Sequence, residues 1–483
     1  MIVTSQEMKA IEQASGFSAN ELMQTAGTAA AKAIAADTAG KHILIIAGKG
    51  NNGGDGYVIA SLLDHARVFA VAEPATPEAK QAYAQVPAER IVPAAKFSQA
   101  LKECDVIVDA VFGFSYKGTL SQDLKALFRR INTSGKFIYS IDINSGCEAD
   151  TGHCDSDCIK SDVTLALDCL KPFHAMRKNH RAFKEVRVLP LGLPHQIKPK
   201  CHEMDEDLFF RSFPCKEENA YKGTYGKTLL IGGSWGMAGA LCLNITGAKT
   251  VGASYITAAL PEEIYTIAAS HFMTPVFRPL NQHNWSQVLE PAIREASALC
   301  WGSGAVGFPC RQRVLDLVLQ TARCPIVLDA EALRLLEHNT WVLRFAKAPV
   351  ILTPHIGEFC AISGKTKEYV EDHALESALD FAKRNRCIVV LKKPNTVVAS
   401  PSGDFYINQT GNQALAQAGS GDLLTGILTG LLSMTCDVFT AVCMGVWLHG
   451  YLADCGTEYS SRQNFSLESY PQIMDGIFRN HGL

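Results

Sequence analysis

Short apolar runs of strand length alternate with longer amphipathic or alanine-rich stretches along most of the chain. HILIIA (42–47), ARVFAVA (66–72), DVIVDAVF (105–112), KFIYSIDI (136–143) and VTLAL (163–167) are β-rich runs separated by helical patterns. The first forty residues are rich in alanine and read as helix. Strands that alternate with helices predict a largely parallel sheet. The alternation restarts at KTLLIGG (227–233). It continues through SYITAAL (254–260), SALCWGSGAVG (297–307), CPIVLDAEAL (324–333), PVILTPH (349–355) and CIVVLKKPNTVV (387–398). Between the two series, residues 196–217 are polar and broken at Pro199, Cys201 and Pro214, as a connector is. The pattern therefore predicts two doubly wound α/β domains, residues 1–210 and 211–483, each holding its ligand at the carboxyl ends of its strands. A length of 483 residues agrees, since one hydrophobic core does not usually organise so long a chain. The most apolar region, 423–453, contains Asp437, His449 and several glycines and threonines. Two buried helices fit it better than a membrane span.

Charge and cysteine usage narrow the field. A formal net charge of −3 gives no electrostatic case for nucleic acid or for an anionic membrane as partner. The start, MIVTSQEMKAIEQ, lacks the apolar core of a signal peptide, and a cytoplasmic location is expected. Sixteen cysteines without regular spacing read as free thiols in a reducing compartment. The tightest group, Cys147, Cys154 and Cys158 beside His153, matches no standard zinc spacing, so zinc is the minor reading there.

Two small-residue loops carry the candidate chemistry. Ala418-Gly419-Ser420-Gly421-Asp422 runs directly into the helical stretch LLTGILTGLL. Such a loop at a helix start aims free N–H groups and the positive dipole end at a phosphate. Asp422 then stands where the phosphate lies, placed to take a proton from an attacking hydroxyl. The alternative is a glycine-rich turn with Asp422 as a helix cap. The five residues alone do not separate these readings. The other loop, Gly48 to Gly56, contains a literal G-x-G-x-x-G after a strand, with Glu73 about twenty residues on, as in a dinucleotide-binding dehydrogenase. Asn51, Asn52 and Asp55 are more polar than pyrophosphate binding needs. They suit recognition of a nicotinamide or ribose edge, or oxygen ligation of a hard cation. Asp109 closes VIVD and Asp142 closes IYSID, just before Asn144-Ser145-Gly146. With Asn52 and Ser145, these acids form a set of oxygen ligands with a proton-transfer group, or else each is a turn or cap residue.

Taken together, GKGNNGGDGYV, VDAVFG and DINSG resemble the NAD(P)H-hydrate epimerase family. KGTYGKTLLIGGSWGMAGA, TPHIGE and GNQALAQAGSGDLLTGILTGLL resemble the ADP-dependent NAD(P)H-hydrate dehydratases, which have a ribokinase-like fold. The resemblance spans nearly the whole chain, in the order of the fused bifunctional repair proteins. It implies a Rossmann-like epimerase domain followed by a ribokinase-like dehydratase domain. The first interconverts the R and S hydrates of NADH and NADPH. The second phosphorylates the S hydroxyl with ADP and Mg²⁺, and loss of phosphate restores the ring and leaves AMP.

The resemblance also implies residue roles. In the epimerase, Asn51, Asn52, Gly53, Gly54 and Asp55 form one substrate loop, and Gly113, Phe114, Ser115, Tyr116, Lys117, Gly118 and Thr119 form the other. Asn52, Asp109 and Ser145 match potassium ligands, and Asp142 matches a substrate-contacting acid that shuttles a proton. In the dehydratase, Ala253, Gly304, His355 and Asp422 match substrate contacts, with Asp422 the acid-base residue. Lys392, Lys393, Pro394, Asn395, Thr396 and Gly421 match the nucleotide site. NADH and NADPH hydrates and ADP are the expected partners, and a homo-oligomer is expected.

The chain departs from the family at Phe114 and Ser115, at Gln24 and Thr25, at Asn144, in GASYIT and at Lys393, whose charge bears on nucleotide fit. Rival readings are a ribokinase-like small-molecule kinase fused to a nucleotide sensor, a front domain that serves only as a binding module, and a dehydrogenase, which leaves Asp422 without a role.

Overall fold

The computed structural model describes residues 1–176, 181–221, 224–435 and 437–482. The chain divides between Cys201 and His202, earlier than the expected 210/211 boundary. The reason is Phe209. The polar connector contains a helix, Glu206–Ser212, whose Phe209 is fully buried in the core of the second domain.

In the first domain, capped helices Ser5–Ala14 and Ala19–Asp37 precede the sheet. Thr4 and Ser18 each accept a bond from a backbone N–H while Glu7 and Glu21 reach back to the cap. Strands β1 (Ile43–Ala47), β2 (Ala66–Ala70), β3 (Val106–Ala110), β4 (Phe137–Ile141), β5 (Ser161–Leu167) and β6 (Phe183–Leu189) lie in the order β2-β1-β3-β4-β5-β6. All pair in parallel. Period-two alternation sends Ile43, Ile45 and Ala47 to the core on one face, and Leu44 and Ile46 to the core on the other. The order reverses between β1 and β3, which opens a crevice above their carboxyl ends. β6 was not anticipated: FKEVRVL carries exposed Lys184 and Glu185 at the sheet edge, which breaks the apolar signal.

The second sheet orders Val276–Leu280, Ile256–Pro261, Thr228–Ile231, Ala298–Trp301, Ile326–Leu328, Val350–Leu352 and Ile388–Leu391 in parallel. Val397–Ala399 and Phe405–Ile407 then add antiparallel. The sequence run 387–398 is thus two strands parted by Lys392–Thr396. Helices Ala238–Thr250 and Ser420–Met434 pack backbone to backbone. A Cβ on Gly426 would sit 2.1 Å from the Asn244 carbonyl oxygen, and one on Gly247 2.3 Å from that of Leu423. Only glycine permits that approach. Val438–Tyr459 is long and apolar enough to cross a membrane, yet most of it is buried in this core, as expected for 423–453.

The free-thiol expectation is corrected at one pair: Cys147 and Cys154 are joined as a disulfide. The loop brings them together as an antiparallel bridge, a closeness their separation in sequence did not announce.

Candidate functional site

In the first domain, a cavity of about 620 Å³ occupies the crevice between β1 and β3. That volume suits a small-molecule ligand. Asn51, Asn52 and Asp55 reach it from the start of helix Asn51–Leu62, and Gly113 to Lys117 from the loop after β3. Gly53 and Gly54 pack behind it instead. A Cβ on Gly53 would lie 1.9 Å from the Gly48 carbonyl oxygen, and one on Gly54 would strike Met23. Gly118 and Thr119 lie beyond the lining, and the Gly118 N–H is held by Glu148 at 3.1 Å. The G-x-G-x-x-G spacing therefore serves close packing, while Gly50 faces open space.

Asp142 ends β4 in a left-handed conformation, φ +64°, which side-chain-bearing residues adopt only under constraint. Its Oδ1 accepts from Lys171 Nζ at 2.6 Å and its Oδ2 from the Phe114 N–H at 2.9 Å. Lys171 is completely buried and also donates to the Leu167 carbonyl at 2.9 Å. His174 fixes the turn behind them: its Nδ1 accepts from the Lys171 N–H, and its Nε2 meets the Asp142 carbonyl at 2.9 Å. Burial, then the Lys171 charge, push its imidazole down to about 4, so it is neutral. Burial raises the Asp55 carboxyl well above the usual range, reinforced by Asp142 and Glu12. Glu12, from the first helix, is raised by burial to about 7. Lys171, His174 and Glu12 escaped the sequence reading. A lysine four residues beyond the end of VTLAL was the available signal.

Asp109 is buried and collects four donors: Ser140 Oγ (2.9 Å), Ser145 N–H (2.9 Å), Ser145 Oγ (2.5 Å) and Val111 N–H (3.2 Å). Burial still raises its carboxyl above the usual range. Among the described residues the Asn52 amide nitrogen is buried without a hydrogen-bond partner, and the amide oxygen is the end that lies beside Gly113. Asn52, Asp109 and Ser145 thus offer an all-oxygen donor set, which fits a hard, weakly hydrated cation.

In the second domain, Gly419 adopts φ +90° and caps helix Ser420–Met434, placing Asp422 in its first turn. Burial, then the Asp329 carboxylate, raise Asp422 to about 6, partly offset by the Ser303 hydroxyl and by Lys392. Asp329 is buried and fully engaged, by Lys392 Nζ at 2.9 Å, Thr353 Oγ1 at 2.8 Å and Thr425 Oγ1 at 3.1 Å. Lys392 is pulled down by burial but held above its usual value overall by Asp329 and Glu358. A Cβ on Gly421 would lie 3.0 Å from the Lys392 ammonium, so helix start and cation face one point. Gly304, at φ +63°, sits against Met237 and Ala240 beside Ser303. His355 caps the next helix, Ile356–Ser363, with Nδ1 accepting from the Glu358 N–H, and is largely exposed. A short parallel bridge joins it to Lys392.

Among the 392–396 positions, Asn395 turns inward to the Asn408 carbonyl, and Thr396 bonds back to Lys393. Burial lowers the Lys393 ammonium. Ala253 stands apart: it follows helix Ala238–Thr250 and precedes strand Ile256–Pro261, at the amino end of that strand. Asp329, Asn244 and Ser303 were missed. Asp329 was legible as an acid ending the IVLD run, whereas the Asn244 amide, which reaches Ser303 and the Asp422 carbonyl, lies mid-helix.

Residues 228–469 match the family model described as NAD(P)H-hydrate dehydratase. Residues 19–173 match that of the YjeF-related protein N-terminus. The bifunctional NAD(P)H-hydrate repair enzyme Nnr of Moorella thermoacetica is 32% identical over 462 residues, covering 90% of this chain and 87% of that protein. This chain belongs to the bifunctional NAD(P)H-hydrate repair enzymes. The Vibrio cholerae repair enzyme is 31% identical, with 94% of this chain and 93% of that one covered. The solved ADP/ATP-dependent NAD(P)H-hydrate dehydratase from Bacillus subtilis, co-crystallised with ATP and Mg²⁺, is 31% identical. It aligns with a TM-score of 0.52 over 57% of this chain and 97% of its own. The repair-family fold is therefore present in full, with both domains in the expected order.

Proposed function

We propose that this chain repairs hydrated NADH and NADPH, with the first domain interconverting R and S hydrates and the second dehydrating the S form with ADP. The observation that carries the second reaction is Asp422, a carboxylate raised to about 6 at a glycine-lined helix start beside the Lys392 ammonium. The ADP β-phosphoryl group rests on the first N–H groups of helix Ser420–Met434, with Lys392 balancing its charge. Asp422 removes the proton of the substrate hydroxyl as its oxygen attacks phosphorus, and AMP leaves. Loss of the new phosphate ester with a ring proton then restores the reduced nicotinamide. The balance is hydrate plus ADP giving NADH or NADPH, AMP and phosphate. Mg²⁺ would supply further charge neutralisation on the nucleotide, and Glu358, a carboxylate near Lys392 that is not ion-paired to it, would be the residue to hold it.

In the first domain, Asn51, Asn52 and Asp55 and the 113–117 loop hold the nicotinamide end, and Asp142 is positioned by Lys171 to exchange a proton. A potassium ion held by Asn52, Asp109 and Ser145 would supply positive charge beside the loop that carries Phe112 and Gly113.

The test is absorbance at the reduced-nicotinamide band on mixed R and S hydrates of NADH with Mg²⁺ and either ADP or ATP. Full recovery of the band from both epimers with ADP is expected. Recovery of the S fraction alone removes the epimerase assignment, and none with either nucleotide favours a ribokinase-like kinase of another small molecule.

A further inference from the structure

Asp168, Cys169 and His195 converge at the carboxyl end of β5, outside the groups used in either reaction. Asp168 ends the strand at φ +60°, and the Cys169 N–H turns back onto the Leu167 carbonyl at 2.7 Å. This tight turn aims two consecutive side chains at one imidazole. His195 Nε2 lies 2.6 Å from Asp168 Oδ2 and 3.7 Å from Cys169 Sγ, and that sulfur lies 3.5 Å from Asp168 Oδ2. Asp168 Oδ1 is occupied by the Leu191 N–H at 3.1 Å, which leaves Oδ2 as the free ligand atom.

We propose that Asp168, Cys169 and His195 form a binding site for a borderline-soft divalent cation, zinc by preference. Tetrahedral zinc, with bonds of about 2.0–2.3 Å, sets its ligand atoms roughly 3.4–3.6 Å apart. Of the two distances to sulfur, 3.5 Å falls within that spacing and 3.7 Å lies about 0.1 Å beyond it. The imidazole–carboxylate contact must open by about 0.8 Å, a rotation of an exposed histidine ring. One thiolate, one imidazole and one carboxylate make a donor set that hard cations reject. Water fills the fourth position from the side where His195 is 37% exposed.

A nucleophilic cysteine is the other reading of such a trio. Burial argues against it: Cys169 is 2% exposed, out of reach of a substrate, as structural rather than reactive cysteines are. A bound cation replaces the thiol proton. Occupancy would have a reach beyond itself. It would tie His195, four residues past Leu191 and two past Leu193, which both line the cavity, to the turn just ahead of Lys171. The inference does not depend on the nicotinamide reading.

The test is titration of chelator-treated full-length protein with Co²⁺, followed by Zn²⁺ competition against a chromophoric chelator. A thiolate-to-cobalt charge-transfer band with the intense visible bands of a tetrahedral ion is expected. Cys169→Ala should abolish the charge-transfer band. His195→Ala should weaken Zn²⁺ binding more than about tenfold. Because His195 is surface-exposed, its variant separates loss of a ligand from loss of fold. Cys158→Ala should leave the spectrum unchanged. Absence of the band, its survival in Cys169→Ala, or its loss in Cys158→Ala, which would move the ion to Cys158, overturns the proposal.

Discussion

Replacing Asp422 by asparagine should make the second domain more stable while it destroys the dehydration. The carboxyl rises from 3.8 to about 6, first through burial and then through Asp329. That rise corresponds to about 3 kcal/mol against the ionised form. The native state holds this proton more tightly than the unfolded chain, so stability declines as pH climbs from about 4 through 6, and the full penalty stands above that window. An amide of the same shape carries no charge to desolvate. Asp422→Asn is therefore expected to gain up to about 3 kcal/mol at pH 7.5 and about half of that at pH 5. For a domain of this size the larger figure moves the melting transition by roughly 6 °C. Loss of a general base should lower ADP-dependent recovery of NADH by about 10²–10⁴-fold. Calorimetry of the full chain at both pH values measures the first effect, with the second-domain transition marked by its shift on adding ADP. A variant no more stable than wild type at pH 7.5, or a gain that does not shrink at pH 5, would refute the account of Asp422 as a desolvated, unpaired carboxylate.

Two further outcomes concern the first domain. Lys171→Met removes the partner of Asp142 in a fully buried pair and should cost that domain about 3–5 kcal/mol in urea unfolding. Repair of the R fraction should fall while the S fraction is still processed, and a cost under about 1 kcal/mol would mean that the pair does not hold the β4 turn. Asp109→Ala should leave epimerisation insensitive to potassium with dehydration unaltered; stimulation by potassium equal to that of wild type would remove Asp109 from the ligand set.

How far the sequence carried depends on where each signal lay. Runs of buried β-branched residues such as HILIIA and DVIVDAVF located the parallel strands of the two sheet centres, because strands covered on both faces are apolar throughout. Of the edge strands, ARVFAVA was found and two were lost. FKEVRVL shows solvent its lysine and glutamate, and VFRPL carries a proline that only an edge tolerates. The run CIVVLKKPNTVV was read as one segment with Lys392 and Lys393 at a strand end, and the proline and asparagine of KKPNT mark the break into two strands. At the sites, the residues that end strands or start helices were legible, since glycine loops and terminal acids stand out locally. Those that act across the fold were not. Lys171 reaches Asp142 over 29 positions and Thr425 reaches Asp329 over 96, and no local pattern encodes either partnership.

These partnerships follow one design in two different sheets. In the first domain the Lys171–Asp142 pair lies beside Asp55; in the second the Lys392–Asp329 pair lies beside Asp422. In each case a lysine binds one strand-end carboxylate and leaves a neighbouring acid, on the first turn or two of a glycine-rich helix, without an ion pair among the described residues. Burial and the neighbouring carboxylate then raise that second acid. A site needs this division of labour when it must both hold an anionic ligand and move a proton near neutral pH. A lysine shared equally between the two acids would lower both and leave neither able to accept a proton reversibly. Thr353 and Thr425 enforce the division in the second domain, because they saturate Asp329 at the geometry that draws Lys392 toward it. Thr425→Val should therefore release part of the lysine charge to Asp422. The lower limb of the pH–rate profile for dehydration should then move below about 6, with the nucleotide still bound. An unmoved limb would mean that burial alone sets the acidity of Asp422.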